Sequence, residues 1–247
     1  MAPLVRNNLA VYDELADRWW DPRGPFAGLR WLAASRAERI GPASNGSSVL
    51  VDVACGGGLL QPYASAKGYV HVGVDISRRS LEVARSHGVR PVRGDMNRLP
   101  LADACAEVVV AGECLEHVPD PYQVVAECCR ILRPGGKLIV DTAANTVLAR
   151  ILGITLLENA PCPGTPPRGT HDHRLFIDRR RLVRTCAENG VTMRLVGLRP
   201  RVLDVFSFVL GRRPAVRLVP MRWTGLLFQG VGAKESPTDS RRPAGAQ

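Results

Sequence analysis

The 247-residue chain predicts an α/β fold, a mostly parallel sheet with helices on both faces and an N-terminal helical cap. Three observations carry this. Between residues 48 and 140, short apolar β-type runs alternate with segments of helical spacing. One run passes directly into the turn Cys55-Gly56-Gly57-Gly58 and then into a helical pattern. Finally, 45% hydrophobic and 23% charged residues over this length suffice for one sizeable core.

Residues 1–45 read as the cap, with amphipathic helical spacing over 7–20 that suits closing the open edge of a site. Residues 46–234 read as one domain, whose first five strands are 49–54, 70–75, 89–94, 107–112 and 137–142. Helical spacing occupies 59–67, 78–87 and 121–132, and Arg133-Pro134-Gly135-Gly136 stops the last helix before the fifth strand. After Asn145 the pattern loosens into an apolar segment at 147–157 and a proline-rich loop at 160–169. A helix at 178–189 and strands at 192–198 and 225–233 complete a seven-stranded sheet. Insertions therefore fall at 145–175 and 199–224, the second studded with arginine, and the polar residues 235–247 read as a disordered tail.

The formal charge of +10 is unevenly placed. Residues 1–173 carry 18 basic and 18 acidic side chains, whereas residues 174–247 carry 15 and 5. An anionic partner would thus meet the C-terminal third, unless the 30 arginines reflect coding bias alone. Seven cysteines with no CxxC pair suit reduced, buried small residues of a cytoplasmic protein, not a disulfide frame or zinc site. No apolar stretch approaches the ~20 residues of a membrane span. The shorter segments 147–157 and 202–210 suit either a pocket wall or peripheral contact with an anionic membrane.

The run Val51-Asp52-Val53-Ala54-Cys55-Gly56-Gly57-Gly58 lets backbone approach a ligand at a helix N-terminus. A dinucleotide fingerprint needs glycine at 54, 56 and 59, but the chain has Ala54 and Leu59. An acidic strand residue followed by small-x-Gly-x-Gly is similar instead to the first motif of class I S-adenosylmethionine (AdoMet) methyltransferases. Asp75, at the end of the second strand, suits acceptance of two ribose hydroxyls, because Ser77 is free to cap the next helix. Asp95, ending the third strand, suits an adenine amino group. Asp52, Ala54, Gly56, Gly58, Asp75 and Asp95 are therefore the candidate cofactor residues.

The chain resembles, more specifically, the ubiquinone-biosynthesis O-methyltransferase family. The likeness rests on Ala16-Asp17-Arg18-Trp19-Trp20-Asp21-Pro22-Arg23-Gly24-Pro25-Phe26, on Asp52 to Gly58, on Glu113-Cys114-Leu115-Glu116-His117-Val118-Pro119-Asp120-Pro121, and on Gly169-Thr170-His171-Asp172 with Phe176-Ile177. It implies a Rossmann-like sheet, the paired tryptophans closing the cofactor pocket, and Arg36 matching a cofactor-binding arginine. Departures include Ala54 for the first motif glycine and Gly112 for a methionine at the end of strand four, a further cofactor position. The likeness fades beyond Ile177, where the basic third begins.

Glu113, Glu116 and His117 stand at i, i+3 and i+4, a spacing that brings two carboxylates and an imidazole to one face of a helical turn. Such ligands suit Mg²⁺ or Mn²⁺. The resemblance implies a divalent ion there, although similar stretches also occur in metal-free methyltransferases, where they pack on the cofactor. The expected reaction is methyl transfer to a phenolic or catechol-type hydroxyl of a small apolar aromatic acceptor. A metal, or else His117 or His171 as base, would activate the oxygen, with Glu116 assisting; His171 and His173 would supply a further ligand or a general base, and segments 147–157 and 202–210 would wall the acceptor site. Three rivals remain: a small-RNA 2′-O-methyltransferase, a secondary-metabolite tailoring enzyme and a non-catalytic AdoMet-binding subunit. Nucleic acid is the disfavoured partner, because the arginine clusters lack interleaved aromatic residues.

Overall fold

The computed structural model describes residues 7–151 and 169–236. Residues 152–157 of the apolar segment, the loop 160–168 and the tail 237–247 lie outside the described residues. Strands β1 (Val49–Val53), β2 (Val70–Asp75), β3 (Arg90–Arg93), β4 (Ala106–Gly112) and β5 (Leu132–Ala143) pair in parallel. Three more are β6 (Val191–Pro200), β7 (Leu218–Met221) and β8 (Leu227–Lys234). β8 inserts antiparallel between β5 and β6, giving the order β3-β2-β1-β4-β5-β8-β6-β7. The sheet therefore has eight strands, not seven. The additional strand, β7, pairs antiparallel with β6 on the outer edge, inside the 199–224 insertion. A four-residue edge strand containing Pro220 pairs on one side only, so it needs no recognisable apolar run.

The helices are α1 (Ala10–Glu14), α2 (Ala27–Ala37), α3 (Gln61–Ala66), α4 (Arg78–Ser86), α5 (Pro121–Ile131), the one-turn α6 (Val147–Ala149), α7 (Arg179–Glu188) and α8 (Val202–Val209). The single helix expected over 7–20 is broken: α1 stops at Glu14 and a 3₁₀ turn at Ala16–Arg18 follows. That break turns Trp19 inward, where its ring stacks on Phe26 at 4.1 Å. Side chains satisfy free N–H groups that open α4, α5 and α7. Ser77 accepts from Ser80 N–H, Asp120 from Tyr122 and Gln123 N–H, and Asp178 from Arg180 and Arg181 N–H. The Arg133–Gly136 turn is a bulge within β5, because pairing jumps from Ala106↔Leu132 to Val108↔Lys137.

Alternation in the central strands builds a core on each face. Leu50, Val108, Val110 and Ile139 pack with Trp19, Phe26, Ala33 and Leu60. Val51, Val109, Ala111, Leu138 and Val140 pack with Val124, Cys128 and Ile131 of α5 and with Leu182 and Cys186 of α7. Burying each such aliphatic side chain contributes roughly 1.5–3 kcal/mol. Cys55, Cys114, Cys128, Cys129 and Cys186 are buried and unpaired, and Cys105 is free at the surface. Among the described residues no helix is long and apolar enough to cross a membrane.

Candidate active site

The carboxyl ends of β1, β2 and β4 open onto a cleft of about 860 Å³, lined among others by Asp52, Ala54, Gly56, Asp75, Gly112 and Glu113. Ligands of open α/β sheets bind at this edge. Asp75 accepts the Gly56 N–H through Oδ2 and the Ser77 N–H through Oδ1, each at 2.8 Å. Burial pushes its carboxyl up, against the pull of those N–H groups. Ser77 caps α4, so Asp75 is left to the cleft and the glycine turn. Asp52 lies beside the buried His71, whose Nε2 is 3.4 Å from Asp52 Oδ2 and whose Nδ1 bonds Gln61 Oε1 at 2.8 Å.

The glycines serve packing as much as the ligand. A Cβ on Gly56 or on Gly57 would stand 2.4 Å from the Trp19 ring, and one on Gly58 would stand 2.7 Å from Val89. Gly56 lines the cleft; Gly58, expected there, packs against α4 and Val89 instead. Trp20 donates from Nε1 to the Gly57 carbonyl at 2.9 Å, so both tryptophans clamp the turn. Ala54 holds φ +54, a left-handed conformation that costs an L-residue roughly 1–2 kcal/mol. Asp95 does not reach the cleft. Its exposed carboxylate accepts from Asn97 N–H and Nδ2, both at 2.8 Å, because a local amide is the nearest donor, and Met96 lines the cleft in its place.

Arg36 is buried and makes a two-point pair with Asp141, Nε to Oδ2 at 2.6 Å and Nη2 to Oδ1 at 2.8 Å. A Cβ on Gly112 would fall 2.2 Å from the Arg36 guanidinium carbon, so the glycine makes room for that crossing. Both residues line the cleft, but one edge of the guanidinium is taken by Asp141. Asp141 carries a weak sequence signal, a single acid inside an apolar strand. Three carboxylates, Asp52, Asp75 and Glu113, thus face the cleft with Arg36 as the sole lining cation among the described residues. This donor set fits a cationic ligand bearing hydroxyls, such as AdoMet, and disfavours a polyphosphate.

A second cavity of about 510 Å³ shares Tyr12, Leu29, Glu113 and His117 with the first and adds Pro25, Phe26, Gly28, Leu32, Thr170 and His171. No described residue of 147–157 or 202–210 lines it; the apolar wall comes from α2 and the turn before it. Glu113 also departs from expectation. It holds φ +52 ahead of the 3₁₀ turn Leu115–His117, so no helical face joins it to Glu116 and His117. His171 takes its place: ligand atoms of Glu116, His117 and His171 lie within 4.8 Å of one another. Glu116 Oε2 accepts from Thr142 Oγ1 at 2.7 Å, while the buried Oε1 has no hydrogen-bond partner among the described residues. Burial raises the carboxyl groups of both Glu113 and Glu116. The residues and the orphaned oxygen fit a divalent ion.

His117 is held by the N-terminal segment. Asn7 Nδ2 donates to the His117 carbonyl at 3.0 Å, which orients Asn7 Oδ1 toward His117 Nδ1 at 2.8 Å. Nδ1 must then carry the proton, leaving the Nε2 lone pair toward the Tyr12 hydroxyl at 3.4 Å. Burial and then His171 push the imidazole down to about 3, so it is neutral at physiological pH. It is therefore a poor general base and a competent ligand. Asn7, Tyr12 and Thr142 carry no motif signal, since each reaches the site only through tertiary contact, whereas Thr170 stands in the Gly169-Thr170-His171-Asp172 segment.

Fold and cleft together define an AdoMet-dependent methyltransferase. A methyltransferase-domain family matches residues 51–140. A solved SAM-dependent methyltransferase from Thermotoga maritima superposes with TM-score 0.62 at 20% identity, covering 91% of this chain and 97% of the other, a likeness of fold. The ubiquinone biosynthesis O-methyltransferase of Idiomarina loihiensis is 38% identical over 185 residues, 71% of this chain and 75% of the relative. That of Nitrosococcus oceani is 35% identical over 201 residues, 78% and 84%. The chain belongs to this O-methyltransferase family.

Proposed function

We propose that the protein methylates a phenolic or catechol-type hydroxyl on a small, apolar, quinol-like acceptor seated in the second cavity. The observation that carries this is the shared wall: Tyr12, Leu29, Glu113 and His117 border both the anionic donor cleft and the mainly apolar second cavity. The relatives are named for ubiquinone biosynthesis, which agrees with such an acceptor.

Asp75 and Asp52 would hold the hydroxyl-bearing end of AdoMet, and Glu113 would face its cationic end. When bound, AdoMet supplies a methyl group activated by its sulfonium. Phe26, Leu29 and Leu32 exclude water from the acceptor ring and fix its approach. A phenol of pKa ~10 is almost wholly protonated at neutral pH, so its oxygen needs activation. Neutral His117 accepts a hydrogen bond at Nε2 but cannot retain a proton. Glu116, raised by burial, and His171 are the remaining groups able to move one. Glu116, His117 and His171 would hold a divalent ion, which would lower the hydroxyl pKa.

Incubation with labelled AdoMet and a panel of catechols and phenols tests the reading: a product gaining one methyl on oxygen is expected. Transfer to RNA and to no phenol would overturn it. EDTA should suppress turnover and Mg²⁺ or Mn²⁺ restore it; full activity in chelator removes the metal and leaves the acceptor assignment standing.

A further inference from the structure

The 199–224 insertion presents a helix with inverted polarity. On α8, Val202, Leu203, Phe206, Val209 and Leu210 are between 52% and 67% exposed. Their spacing of i, i+1, i+4, i+7 and i+8 makes one continuous stripe. The opposite face is anchored. Phe208 is buried edge-on against Trp31 at 4.9 Å, Arg23 lies over its ring at 4.8 Å, and Arg23 Nη1 donates to the Phe208 carbonyl at 2.8 Å. A helix on a protein surface ordinarily turns polar residues outward. Here the outward face is the apolar one.

Its charges complete the pattern. Residues 199–224 contain six arginines and one acid, Asp204. That acid is 3% exposed and accepts from Arg217 Nε at 2.9 Å, with Arg213 and Arg201 at 3.7 and 3.9 Å. Its charge is spent inside the insertion, while Arg199, Arg201, Arg212 and Arg213 are exposed at the two ends of the helix. We propose that α8 is a docking surface for an anionic lipid bilayer, the stripe entering the acyl boundary and the arginines meeting lipid phosphates. An apolar stripe rimmed by cations, with no exposed carboxylate in the insertion, complements that surface in both polarity and charge. The position fits use: Trp31 of α2 holds α8, and Gly28, Leu29 and Leu32 of the same helix line the second cavity. Docking would bring that cavity toward the bilayer, a route for an apolar acceptor. The docking itself does not depend on the acceptor assignment.

Co-sedimentation with vesicles of phosphatidylcholine alone, and of phosphatidylcholine with phosphatidylglycerol, tests this on the full chain. The wild type should bind the mixed vesicles, more weakly at high salt, and bind phosphatidylcholine poorly. Leu203→Glu with Phe206→Glu should lower the partition more than about tenfold. Arg199→Gln and Arg212→Gln should each lower it on the order of fivefold. AdoMet affinity and thermal midpoint, measured alongside, should match wild type and so verify folding. Wild type left in the supernatant with both vesicles, or glutamate variants that bind as well as wild type, would overturn the proposal. So would self-association that these variants abolish without vesicle binding, which assigns the stripe to a second copy.

Discussion

Asp75 joins the donor cleft to the turn that shapes it, because the carboxylate facing the cleft also fixes Gly56 N–H. Asp75→Ala should therefore weaken AdoMet binding by at least roughly tenfold, since hydrogen bonds to a charged group are worth about 1.5–3 kcal/mol each. Calorimetric titration reads this, and unchanged affinity would remove Asp75 from the site. Arg36 makes a different prediction. Arg36→Met leaves Asp141 buried without its partner and should cost about 3–5 kcal/mol in urea unfolding. Adding Asp141→Leu should recover most of that loss, because two apolar groups then replace a broken ion pair. At this scale the acid at the end of β2 was legible from its place after an apolar run. Asp95, equally well placed along the chain, is outside the cleft lining, and Asn97, two residues on, donates to its carboxylate.

At the scale of elements, the glycine turn and the tryptophan pair behave as one unit. Gly57 has no left-handed backbone requirement, yet a Cβ there would overlap Trp19. Gly57→Ala should thus destabilise the protein and weaken AdoMet binding, and should cost markedly less on a Trp19→Ala background. A double-mutant cycle on the thermal midpoint measures that coupling; additive effects would separate the turn from Trp19. The parallel strands and α3 to α5 were legible because periodicity reports burial directly. The N-terminal cap was legible as apolar spacing but not as two short pieces, because the break depends on where Trp19 finds its pocket. The expected Glu113, Glu116 and His117 face failed for a related reason: spacing implies a shared face only if the backbone is helical, and Glu113 is in the left-handed region.

For the whole molecule, burial sets opposing pH dependences. His117 is depressed, so its contribution to stability is present above the ordinary imidazole value near 6.5 and is lost as pH falls toward about 3. Glu113 and Glu116 are raised, so their contribution is present at low pH and is lost as pH rises through their folded values. A cationic ligand beside Glu113, which lines the donor cleft, favours its ionised form. The thermal stabilisation by saturating AdoMet should accordingly be larger at pH 7.5 than at pH 5.5, as scanning calorimetry would read; the reverse order would reject an anionic cleft. The sequence by itself determined the α/β class, the parallel strands and the acidic positions near the ends of β1 and β2, since these depend on local periodicity and on short-range turns. Only the tertiary structure decided that Arg36 meets Asp141 across 105 residues, that His171 joins Glu116 and His117, and that α8 turns its apolar face outward. Those outcomes depend on which surfaces meet in space, and neither spacing nor composition encodes that.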